Sequence, residues 1–264
     1  MSHSGPIGVF DSGVGGLSVL KEIRGLLPAE DVIYFADSAY CPYGGRLPEV
    51  IQGRALAIGR FLVEKGAKLI VVASNTTSAS GLDALRDCLS IPIVGVEPAV
   101  KPAAAQCKQG KVGVLATVVT LASERFSSLL DRFCDDVEVI TQPCPGLVEV
   151  VEAGQFDEAK PLLTKYLQPL LDQGCETIVL GCTHYPLLYQ QIREMAGPNI
   201  KIIDSGKAVA RQVQRVLNEN QLETPENQAG SELFFTSGDP ETVGPVIDVI
   251  WGKHGVNVER VAQI

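Results

Sequence analysis

The chain has 264 residues, 45% hydrophobic and 20% charged, enough for one large domain or two smaller ones with a sizeable core. No apolar run approaches the roughly 20 residues of a bilayer span, and MSHSGPIGVF lacks the basic-then-apolar order of a leader, so neither a membrane segment nor export is expected. The net charge of −9, with lysines and arginines scattered, argues against nucleic acid as the primary ligand.

Short continuous apolar runs predict buried strands at Ile7–Phe10, Val32–Phe35, Leu69–Ala73, Ile93–Val96, Val112–Leu115, Val137–Ile140, Thr177–Leu180 and Ile200–Ile203. Helical patterns lie between them. Ile51, Ala55, Ile58 and Leu62, spaced i, i+4, i+7 and i+11, make one apolar stripe. This alternation predicts an α/β fold with largely parallel sheets flanked by helices. Beyond about Lys207 comes a helix-like start, Ala208–Leu217, and a polar stretch, Asn218–Glu232. LFFTSGDPETV then reads as a strand, a turn and a helix cap, expected to pack back onto the first half.

The chain repeats itself. EKGAKLIVVASNT (64–76) aligns with DQGCETIVLGCTH (172–184), at an offset of 108 residues. IGVFDSG (7–13) answers VGVLATV (112–118), EDVIYF (30–35) answers DDVEVI (135–140), and IPIVGV (91–96) answers IKIIDS (200–205). Any one pair could reflect the general likeness of α/β units. Four pairs in one order at nearly constant offset indicate two similar halves. The expected division is a first α/β domain from residues 1–97 and 208–264, and a second from residues 98–207.

In open parallel sheets, ligands sit beyond the carboxyl ends of the strands. That rule selects Asp11-Ser12, Asp37-Ser38, Ser74-Asn75-Thr76, Thr117 with Thr120, and Cys182-Thr183-His184. All are small or polar and lie where a strand is expected to give way to a helix, whose free N–H groups suit a carboxylate. DSGVGGLSVL (11–20) lacks the G-x-G-x-x-G spacing; a tight turn and an anion site both remain open. Asp11, directly after a buried strand, needs a partner.

Seven cysteines, an odd number without an export signal, indicate reduced thiols and a cytoplasmic protein. Most suit inert buried positions. Cys182 differs: it ends a strand just before an expected helix start, has His184 two residues on, and belongs to a twinned motif, so it reads as a catalytic thiol. No CxxC pair occurs and His3, His184 and His254 are far apart, so spacing supports no metal site.

Together, VFDSGVGGLSVL, ADSAYCPYGGR, ASNTTSA, CPGLVEVVEAG and GCTHYPLL resemble the glutamate racemases, over about positions 6 to 206, with FFTSGD (234–239) extending the likeness. The resemblance implies two pseudosymmetric α/β domains with the active site in the cleft between them. It implies cofactor-independent interconversion of L- and D-glutamate, supplying D-glutamate for peptidoglycan, by two cysteine thiols on opposite faces of the substrate Cα. Two like halves closed over one ligand suit that task, since inversion needs an acid/base group on each face. By position, Cys182 matches the thiol acting on L-glutamate, and Ser74 stands where the thiol acting on D-glutamate would be. Asp11, His184 and Glu152 match assisting groups. Asp11, Ser12, Tyr43, Gly44, Asn75, Thr76, Thr117, Thr183 and His184 fall on segments expected to bind substrate. Without the resemblance, Glu152 reads as a solvated acid at a helix end and Tyr43-Gly44 as a turn after Pro42. A homodimer is also expected, because such dimers are common in the family.

Ser74 departs from the pattern while Asn75, Thr76, Ser78 and Ala79 keep it. Two origins account for this: an engineered Cys→Ser change, which we favour, or a natural relative with one-sided proton chemistry. Other readings are a single-thiol enzyme for another acid (an aspartate racemase or a cofactor-free decarboxylase) and a non-catalytic amino-acid-binding module.

Overall fold

All eight apolar runs form strands. In the computed structural model, which describes residues 5–107, 110–134, 137–225, 229–262 and 264, β1 is Ile7–Asp11, β2 Val32–Ala36, β3 Leu69–Val72 and β4 Ile93–Gly95. Next come β5 Lys111–Ala116, β6 Glu138–Pro143, β7 Cys175–Leu180 and β8 Lys201–Ile203, then β9 Glu232–Thr236 and β10 Val258–Arg260. Each residue of β1, β2 and β3 is buried, as strands between two helical layers must be. His3 and the Asp135-Asp136 start of one repeat segment lie outside the described residues.

One sheet has the order β10-β9-β2-β1-β3-β4 and the other β6-β5-β7-β8, with parallel pairing throughout. The run β2-β1-β3-β4 has the same order as β6-β5-β7-β8, so the four repeated segments occupy matching places in two like sheets. β9 pairs with β2, which returns the C-terminal segment to the first sheet as expected. LFFTSGDPETV resolves into β9, a turn and Asp239 capping the helix Pro240–Trp251.

The helix Pro48–Glu64 starts with proline in its first turn and buries Ile51, Ala55, Ile58 and Leu62. This stripe packs with Phe10, Ile33, Phe35, Ile70 and Val72 on one face of the larger sheet. Burying each such Leu or Ile stabilises by roughly 1.5–3 kcal/mol. On the opposite face, Leu17, Leu20 and Ile23 join Val209, Val213 and Leu217 in a core that continues to Leu147, Leu163 and Leu167 beside the smaller sheet. That shared core fixes the two sets of strand ends around one cleft. No helix among the described residues is long and apolar enough to cross a membrane.

Candidate active site

The carboxyl ends of β1, β3, β5 and β7 converge on a cavity of about 200 Å³. Asp11, Ser12, Tyr43, Gly44, Ser74, Asn75, Thr76, Thr117, Cys182, Thr183 and His184 all line it. Glu152 does not. A groove of about 860 Å³ elsewhere is larger, but no thiol or histidine among the described residues lines it. Convergent reactive groups, rather than size, mark the smaller cavity.

Ser74 and Cys182 reach the cavity from equivalent strand ends in unlike states. Ser74 is the N-cap of the helix Asn75–Cys88, and its Oγ accepts from the Thr77 N–H at 3.3 Å. Its hydroxyl also lies toward the buried Asp11 carboxyl. Cys182 follows β7 and Gly181; its Sγ lies 3.7 Å from His184 Nδ1, so the two interact directly. The expected helix start after Cys182 is the short 3₁₀ turn Tyr185–Leu188, followed by the helix Tyr189–Ala196. One 3₁₀ turn aligns few peptide dipoles, so the thiol's charged neighbour is His184 rather than a long helix.

His184 is sandwiched. Its Nε2 meets Glu152 Oε1 at 2.5 Å, on the side away from Cys182. Glu152, at the end of the helix Leu147–Glu152, also accepts from the Val14 N–H at 2.7 Å. Burial opposes charge on the imidazole, but hydrogen bonds to Cys182, Cys41 and Glu152 outweigh it and raise its pKa well above the usual value. Asp11 is raised too: burial dominates, the His184 charge opposes it, and Glu152 adds to it. Asp11 finds its partners in the N–H and hydroxyl of Ser12, at 2.6 and 3.2 Å, and in Thr183 Oγ1 at 3.2 Å.

The glycines of DSGVGG are explained by close approach. A Cβ at Gly13 would overlap the Glu152 carboxylate, and one at Gly15 the His184 ring. Neither Gly13 nor Gly15 has a positive φ, so contact with the opposite half is what excludes a side chain there. Ser18 Oγ donates to the Thr183 carbonyl at 2.7 Å, and Thr76 Oγ1 lies 3.0 Å from Thr117 Oγ1. These bonds join the two sets of strand ends across the cleft. The buried Asn75 Nδ2 has no hydrogen-bond partner among the described residues, which leaves a donor free for whatever fills the cavity that Asn75 lines.

Tyr43 is buried and its hydroxyl donates to Asp37. Arg54 clamps that carboxylate with Nε at 2.9 Å and Nη2 at 2.7 Å. The Tyr43-Gly44 segment is thus held at the cavity wall by an ion pair. Sequence reasoning noted Asp37 but missed Arg54, although an arginine inside the stripe Ile51, Ala55, Ile58 signals a buried acidic partner. It also treated Cys144 as one of the inert thiols. Cys144 lines the cavity, and burial pushes its thiol up to about 12; no pattern in the sequence separates it from the other cysteines.

Two like parallel sheets that bring a thiol and a hydroxyl to one small cavity define a class: α/β proteins with a repeated sheet order and a cavity at the strand ends. The chain belongs to the Asp/Glu/hydantoin racemase family, which it matches over residues 7–213. It is 51% identical over 255 residues to a glutamate racemase of Pseudomonas paraeruginosa, across 96% of either chain. Its structure is similar to a glutamate racemase isoform from Bacillus anthracis, with a TM-score of 0.87, 34% identity and 98% of both chains covered. It is also similar to Escherichia coli glutamate racemase in complex with L-glutamate and the activator UDP-MurNAc-Ala, with a TM-score of 0.86, 34% identity, and 98% and 99% of the two chains covered.

Proposed function

We propose that this chain carries the glutamate racemase site, an isomerase that interconverts L- and D-glutamate without a cofactor and supplies D-glutamate for peptidoglycan, with one of its two acid/base positions disabled. The observation that carries the reading is the placement of Ser74 and Cys182 at equivalent strand ends around one cavity. The similarity to glutamate racemases over nearly the whole chain favours glutamate over aspartate or a decarboxylation substrate.

In this scheme the substrate carboxylates accept hydrogen bonds from Asn75, Thr76, Thr183 and the Ser12 and Tyr43-Gly44 segments. The Cys182 thiolate removes the Cα proton of L-glutamate, leaving a carbanion-like centre that the closed, preorganised cavity stabilises. His184, charged and held by Glu152, stabilises the thiolate before the transfer; Asp11 assists on the Ser74 side. A thiol on the opposite face would return the proton and complete inversion. The Ser74 hydroxyl keeps the shape and loses the acidity, so the carbanion is reprotonated from the face it came from. Ser74→Cys should raise racemisation, followed by circular dichroism, by roughly 10²–10⁴-fold, the range for restoring one general acid/base. A folded variant with no gain would rule out the vacated-thiol reading.

The same proposal takes residues 1–97 with 208–264 as one domain and 98–207 as the other, supported by the strands each sheet draws on; limited proteolysis at the joins tests it. It also includes a cytoplasmic location and a homodimer, the latter tested by light scattering.

A further inference from the structure

Cys41 is a thiol that the proposed reaction leaves unused. It stands between two short 3₁₀ turns, Ser38–Tyr40 and Tyr43–Gly45, and its side chain interacts with His184. The donor atoms of Cys41, Glu152 and His184 all lie within 4.8 Å of one another, and among the described residues no other cluster of metal-ligand types is this tight. The donors come from segments more than 30 residues apart, which is why spacing along the chain gave no metal pattern. We propose that Cys41, Glu152 and His184 form a binding site for a zinc-class divalent cation, and that an ion held there takes His184 out of the proton-transfer machinery.

Three properties support this. A thiolate, an imidazole and a carboxylate are a donor set that prefers zinc or cobalt to magnesium or calcium. Charge balances: one thiolate and one carboxylate cancel a 2+ ion while the imidazole stays neutral, so no net charge is buried. Geometry is near what is needed. Tetrahedral zinc, with bonds of roughly 2.0–2.3 Å, sets its donors about 3.3–3.6 Å apart, so the thiol moves in and the Glu152–His184 contact of 2.5 Å opens by about 1 Å. The Glu152 side chain is 16% exposed, which gives both an entry path and room to shift. The ion replaces the proton now shared between Glu152 and Nε2 and the proton on Cys41. A water completes four-coordination. Cys41 ligates as the thiolate, so metal binding releases the thiol's proton.

Cobalt(II) titration of the whole chain, read by thiolate-to-metal absorption in the near ultraviolet and by metal content after gel filtration, tests the site without reference to the reaction. The expected result is one ion per chain, displaced by zinc. Cys41→Ser should weaken it at least tenfold and abolish the thiolate band, whereas Cys182→Ser should retain both. Glu152→Gln, a near-isosteric change, should weaken binding at least tenfold with the band still present on saturation; it decides the matter if Cys41→Ser does not fold. Failure to bind stoichiometrically, a band that survives Cys41→Ser, or one that disappears with Cys182→Ser or Cys88→Ser would each overturn the assignment.

Discussion

The ends of β3 and β7 are the same place in two sheets of one order, yet they carry unlike side chains in unlike surroundings. At the end of β3, Ser74 holds a helix N-terminus and lies toward a buried acid. At the end of β7, Cys182 lies against His184, which Glu152 backs on its other ring nitrogen. An oxygen is the better acceptor for a backbone N–H; a sulfur is the better acid and base near neutral pH. One position is therefore suited to structure and the other to proton transfer, although the surrounding backbone is alike.

Substitutions at the two strand ends should differ in size and kind of effect. The largest effect belongs to Cys182→Ser, which should lower α-proton exchange from L-glutamate by roughly 10²–10⁴-fold with little change in thermal midpoint; deuterium incorporation followed by NMR checks this. Next comes Glu152→Gln, which removes the charged partner of a buried imidazole and should cost about 1–3 kcal/mol in denaturant unfolding at pH 6. His184 is held above its ordinary 6.5, so the folded chain binds the proton more tightly than the unfolded one. The imidazolium's contribution is full below about 6.5 and is lost as pH rises through the folded-state value, so the cost of Glu152→Gln should shrink over that window. Smaller again is Ser74→Ala. Loss of the cap should cost about 0.5–2 kcal/mol of stability in the same assay, while exchange from L-glutamate stays within a few-fold of the starting chain.

Much of this was legible in the sequence, for identifiable reasons. Strands buried on both faces leave continuous apolar runs, and a duplicated fold leaves paired segments at one offset. β10 was missed because Val258–Arg260 is a short edge strand with Glu259 and Arg260 exposed, so it carries no apolar run. Ser74, Asn75, Cys182 and Thr183 were visible as small polar residues after strands. Glu152 looked like a solvated helix end; its contacts with Val14 and His184 depend on how the two halves close, which local pattern does not encode. Gly13 and Gly15 of DSGVGG were open between turn and anion site for the same reason, since Glu152 and His184, which exclude their Cβ atoms, lie more than a hundred residues away.

In the proposed function, one face of the cavity still moves protons and the other does not. Incubating the chain in D2O with each glutamate enantiomer, and measuring the initial rate of Cα deuteration by NMR, tests this most directly. The account predicts that L-glutamate exchanges faster than D-glutamate by at least tenfold and that exchange from L-glutamate depends on Cys182. Equal rates from both enantiomers, or faster exchange from D-glutamate, would contradict it.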